Sequence, residues 1–174
     1  MASTVSAEGL SGAGLIWLSL TLSGLYTATR LKKRTEFLGE ILNFLKALAV
    51  EIEFSLSDLP SILKKVSASD MCSKLLFLKQ CVMLIKDNVD LPVAWSASIE
   101  EKTPLLNKEE KDKLNTLGLS LGTTDLTGQK KIIELFSEYF TSFYVQAKNK
   151  EDKLYGIYIL IGTLSGFGLF IMII

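Results

Sequence analysis

Histidine is absent from this chain of 174 residues. That removes the commonest general base and the commonest metal ligand. Cysteine is nearly absent, with only Cys72 and Cys81. If both lay on one helix they would stand about 13 Å apart along its axis and on opposite faces, beyond disulfide reach. Two such thiols without histidine do not make a zinc site. Buried, inert thiols are expected, as in a reducing cytoplasm. An excess of either charge is missing too, with 19 Lys and Arg against 19 Asp and Glu. Nothing therefore points to nucleic-acid binding through bulk charge. Alternation of apolar and polar residues, the mark of a half-buried strand, appears nowhere. No phosphate loop is present: Gly122 to Gln129 has one residue too many between its glycines, and Gln129 stands where that loop needs Lys. Acidic pairs do exist, Glu36 with Glu40 and Glu134 with Glu138. Lys32 and Lys130 lie one turn before them, so they read as solvated charged faces. No cofactor, no metal and no catalytic residue is expected.

What the chain does have is two long apolar runs. The first covers residues 10–29, behind a polar leader at residues 1–9, and is followed by Arg30, Lys32, Lys33 and Arg34. The second covers residues 154–174 and is preceded by Lys148, Lys150 and Lys153. Each is close to the roughly 20 residues that cross a bilayer as a helix. Cytoplasmic flanks of such helices carry the excess Lys and Arg. Both basic flanks face the middle of the chain, so residues 30–153 are expected in the cytoplasm and both termini across the membrane. The leader lacks the basic stretch that opens a signal peptide, which favours an anchor over a cleaved signal. Arg30 to Arg34 also suits anionic lipid head groups. Gly162 and Gly166 have the spacing that lets membrane helices approach closely.

The middle segment reads as helix throughout. Phe37, Ile41, Leu45, Leu48 and Ile52, with Phe44 alongside, form one helix face ending near Ser55. Ser57, Asp58, Leu59 and Pro60 make a turn and a capped helix start, with a short helix to Ser67. An apolar helix is expected from Ser69 to Asp87. Asp90-Leu91-Pro92 opens another short helix, to Lys102, that carries Trp95 and Ile99. A weak internal repeat pairs each proline-started helix with a longer one before it. Pro104 breaks the chain before a helix from Lys108 to Leu121. Gly122 suits the left-handed position after it, and Thr124 or Asp125 the next cap. The last helix has an apolar face of Ile132, Ile133, Leu135, Phe136, Phe140 and Phe143. Short connections predict antiparallel neighbours. The fold expected is all-α, an antiparallel helical bundle in the cytoplasm flanked by two transmembrane helices.

Several runs are similar to one family. Glu51-Ile52-Glu53-Phe54 followed by Leu59-Pro60 and Leu63, Trp95 inside a short helix, and Leu121-Gly122-Thr123-Thr124-Asp125-Leu126-Thr127-Gly128-Gln129 resemble the stage III sporulation protein AB family. The basic stretch after the first apolar run and the apolar tail fit as well. The resemblance implies a protein of endospore-forming bacteria, in the mother-cell membrane around the forespore. It implies a non-enzymatic platform of a channel or secretion-like complex, with a helical part like type II secretion F-type platform domains. Its implied partners are a cytoplasmic secretion-type ATPase, other channel subunits and membrane lipids, with a homo-oligomer possible. The rival reading is a stand-alone membrane scaffold or regulatory adaptor without a motor. Candidate contacts are Glu51, which borders the apolar stripe, then Ser57, Asp58 and Pro60, and Gly122, Thr124, Asp125 and Gln129.

Overall fold

The computed structural model describes the backbone of residues 7–55, 57–72 and 74–173. Side-chain surroundings are described for residues 18–161 except 56, 71 and 73, and for residue 164. Within these the chain is all-α: α1 Ala7–Phe54, α2 Leu59–Ser67, α3 Leu76–Lys86, α4 Leu91–Lys102, α5 Lys108–Ser120 and α6 Leu126–Ile173. The chain divides into two compact units. One is Arg34–Gln146, and the other comprises the chain up to Lys33 and from Ala147.

In the unit Arg34–Gln146, the stripe read on α1 is a buried seam of Ile41, Phe44, Leu45, Leu48 and Ile52. Its first member differs: Leu38 is buried and Phe37 only half-buried. Glu53 of α1 pairs with Lys130 of α6 at 2.7 Å. A Cβ on Gly39 would lie 3.5 Å from the Tyr144 ring. Moving back along α1 therefore moves forward along α6, and the two run antiparallel within this unit. Aromatic rings from three helices form the centre. Phe77 of α3 meets Trp95 of α4 edge-on at 5.5 Å, and Phe44 of α1 lies 6.1 Å from Trp95. The Trp95 indole N–H donates to the Leu114 carbonyl of α5 at 2.9 Å, so its one polar atom is satisfied in the core. Gly118 of α5 makes room for the indole: a Cβ there would come within 2.2 Å of Nε1.

The start of α5 ties back to α1. Asn107 Oδ1 accepts the Glu110 N–H at 2.9 Å, while Glu110 Oε2 accepts the Asn107 N–H at 2.8 Å, a reciprocal capping box. The other oxygen of the fully buried Glu110 accepts from Arg34 Nη2 at 2.6 Å.

The helix expected from Ser69 to Asp87 is shorter at its start. Ser67 and Ser69 turn their hydroxyls onto the carbonyls of Lys64 and Val66, at 2.9 Å each. Such bonds compete with helix continuation. A 3-10 turn, Asp70–Cys72, follows, and α3 begins only at Leu76. Cys72 and Cys81 consequently lie on different elements, and both are free and buried. Burial raises both thiols, Cys81 to about 11. Asn88, at φ 61°, supplies the left-handed residue that turns the chain after α3. On α6, Ile133, Phe136 and Phe140 are buried as expected, but Leu135 stands 47% exposed.

In the other unit, Leu18, Leu22, Leu25, Tyr26, Leu160 and Leu164 are all exposed. Lys148 pairs with Glu151 and Asp152 at 3.3 and 3.1 Å. Among the described residues no helix is long and apolar enough to cross a membrane. Both expected spans reach beyond the residues whose side chains are described.

Candidate functional site

Four helix ends meet at one end of the unit Arg34–Gln146: the C-termini of α1 and α5 and the N-termini of α2 and α6. The chain enters and leaves this unit at its other end, as the antiparallel register of α1 and α6 requires. The loops expected to carry contacts are thereby brought together. A Cβ on Gly122 would touch Leu59 Cδ2 at 3.4 Å, which joins the α5–α6 loop to the start of α2.

Local chemistry shapes each loop. After Phe54, the Ser55 hydroxyl accepts the Ser57 N–H at 3.2 Å and turns the chain. Asp58 occupies the cap position of α2 in an extended conformation, yet its side chain caps no backbone amide. Pro60, in the first turn, has no N–H to offer. The Asp58 carboxylate instead accepts the Ser61 hydroxyl at 2.8 Å. That bond holds the carboxyl below its ordinary value.

In the other loop, Gly122 has φ 80°, the left-handed conformation in which a side chain would strain the backbone. Thr123 closes the end of α5 by donating its hydroxyl to the Ser120 carbonyl at 2.8 Å. Asp125 caps α6, its Oδ1 accepting the Gly128 N–H at 3.0 Å and the Thr124 hydroxyl at 3.2 Å. Gln129 folds back: its side-chain amide donates to the Thr124 carbonyl at 3.1 Å. Gln129, expected as a partner contact, therefore also braces its own loop.

Ion pairs flank this end. Glu51 pairs with Lys65 of α2 at 2.7 Å, beside the Glu53–Lys130 pair. Lys130 is thus engaged by α1 rather than by Glu134 on its own helix. Phe54, the last residue of α1, is 80% exposed, and Leu126 at the first position of α6 is exposed too. Sequence reading passed over Phe54 as a contact, because it sits off the apolar stripe at a helix end. A shallow cleft of about 130 Å³ lies nearby, lined by Pro60, Ser61, Lys64, Val82, Ile85 and Lys86.

Of the basic flank, Arg30, Lys32 and Lys33 are exposed. Arg34 is not free in the same way, because its guanidinium is committed to buried Glu110. Gly162 and Gly166 fall outside the residues whose side chains are described. Among the described residues no group of His, Cys, Asp or Glu could hold a metal ion.

The architecture and this end together define an all-α bundle whose distinctive surface is a junction of loops. A solved structure of stage III sporulation protein AB has the same fold, with a TM-score of 0.55 at 21% identity, covering 70% of this chain and 98% of that one. No curated protein matches the chain at a significant level. The sequence model of the stage III sporulation protein AB family matches residues 9–174, so the chain belongs to that family. Its membership ties it to sporulation.

Proposed function

We propose that this chain is the membrane platform of a sporulation channel complex between mother cell and forespore. It couples a cytoplasmic secretion-type ATPase to the channel and hydrolyses nothing itself. The two apolar runs anchor it in the mother-cell membrane, and the unit Arg34–Gln146 is cytoplasmic. The single observation that carries the docking assignment is the convergence of the Ser57–Pro60 and Gly122–Gln129 loops, with Gly122 against Leu59 and Phe54 exposed beside them. Loops held by their own hydrogen bonds, beside an exposed aromatic side chain, form a pre-organised surface, and aromatic side chains are favoured at such interfaces. Support for the anchors comes from the outward apolar side chains Leu22, Leu25, Leu160 and Leu164. Large exposed apolar surface in water is otherwise a liability. The exposed Arg30, Lys32 and Lys33 suit anionic head groups at the cytoplasmic leaflet.

Recovery of partners with the tagged full chain from sporulating cells tests this reading. The parent should bring down the ATPase and other channel subunits. Phe54→Ala removes an exposed ring and should shift stability by less than about 0.5 kcal/mol. Recovery of the ATPase should nevertheless fall several-fold, with channel subunits retained. Parental recovery of the ATPase by Phe54→Ala moves the docking surface elsewhere. Absence of both ATPase and channel subunits from the parent favours the adaptor without a motor.

A further inference from the structure

The apolar face read on α6 is wider than the bundle uses. Ile133, Phe136 and Phe140 are buried, but Leu135 is 47% and Tyr139 38% exposed, and Ile132 is half-buried. Positions 131, 135, 138 and 142 follow one another at three- and four-residue steps, with 132 and 139 alongside, and form a single stripe. The stripe is charged at both sides of Leu135. Lys131 lies one turn before it and Glu138 one turn after, both exposed. Neither has an ion-pair partner among the described residues. Lys130, next to Lys131, is already paired with Glu53. Tyr139 is held in place from the flank, with Lys113 Nζ of α5 at 4.1 Å from its ring centre.

We infer that this stripe docks a second copy of the chain, antiparallel and centred on Leu135. The charge order carries the choice of occupant. A two-fold axis through Leu135 sets Leu135 against itself and reverses the helix direction. Lys131 of each copy then comes within one residue's rise, about 1.5 Å along the axis, of Glu138 of the other, and the pair is made twice. Two-fold interfaces are self-complementary in this way. A parallel arrangement sets Lys131 against Lys131 and Glu138 against Glu138, which repels, so the charges also fix orientation. A ring already held by Lys113 loses little further freedom on docking. The interface is independent of the motor-docking end: it uses the side of α6, not the loops.

Cross-linking of the full chain in detergent micelles tests the inference. Cys72 and Cys81 are buried and do not compete. A thiol placed by Leu135→Cys lies on the two-fold axis and meets its own copy. Mild oxidation should convert most of it to a covalent dimer. Ser96→Cys, exposed on α4 rather than on α6, should stay monomeric under the same conditions. Lys131→Glu in the Leu135→Cys background should lower the dimer yield at least tenfold, and adding Glu138→Lys should restore it. Sedimentation of the chain with unaltered Leu135 should give the dimer mass. The inference is overturned by a monomer mass, by equal cross-linking at positions 96 and 135, or by a yield that Lys131→Glu leaves unchanged.

Discussion

The two units of this chain use the same apolar residue types in opposite ways. Between Arg34 and Gln146 one set of large side chains forms a core: Phe44, Phe77 and Trp95 are buried against one another, and Leu38, Leu45 and Leu48 are wholly covered. In the other unit Leu18, Leu22, Leu25, Leu160 and Leu164 stand exposed. An amphipathic stripe with polar neighbours, as on α1 from Leu38 to Ile52, has one face to hide and hides it against other helices. A helix that is apolar all round has no polar side to leave in water. The contrast shows that hydrophobicity alone does not make a core. Its arrangement around the helix decides whether the protein or another solvent covers it, and on the proposed reading that solvent is lipid.

Breaking the contrast from the packed side should give the largest effect. Trp95→Ala empties the meeting point of three helices and removes the indole's bond to the Leu114 carbonyl. It should cost about 3–5 kcal/mol, read as the shift of a denaturant or thermal unfolding curve. A melting temperature equal to the parent's would remove Trp95 from the centre of the bundle.

The terminal unit answers to a different measurement. Leu22 is exposed, so a charge there should do little in water. In a bilayer interior, arginine near the middle of a helix costs about 2.5–3.5 kcal/mol. Leu22→Arg should therefore shift the chain from the membrane fraction toward the soluble fraction or degradation while leaving the unfolding curve of the bundle unchanged. Parental membrane recovery would sink the bilayer assignment for the first apolar run.

The smallest effects separate the two roles inside the α5–α6 loop. Asp125→Ala loses a cap and should cost about 0.5–2 kcal/mol. Gln129→Ala loses one bond from a partly exposed amide to the Thr124 carbonyl, so its cost should stay at or below about 0.5 kcal/mol. An unfolding curve shifted more by Gln129→Ala than by Asp125→Ala would mean that the brace outweighs the cap.

Much of the fold was legible in the sequence because its signals are local. Proline after Asp58 and Asp90 marks the starts of α2 and α4, and Gly122 with Asp125 marks the stop of α5 and the start of α6. A cap or a positive φ is set by residues within one turn of each other, so it is written in adjacent letters. The expected start of the third helix at Ser69 failed for a local reason that propensity understates: two serine hydroxyls took the carbonyls of Lys64 and Val66. The candidate contact end was legible only as two separate loops. That Gly122 meets Leu59, that Lys130 reaches Glu53 and that Gln129 bends onto Thr124 depend on how helices far apart in sequence come together.

By itself, the sequence determined the helical class, most helix ends, the buried seam of α1 and the lack of histidine chemistry, because periodicity, caps and composition act within a helix or along the chain. The tertiary structure alone decided which side of α6 is covered, so that Phe136 is buried and Leu135 is not. It also took Arg34 out of the basic cluster and set it on Glu110. Those outcomes turn on which distant helix happens to stand opposite a given face, and no spacing along one strand of sequence records that neighbour.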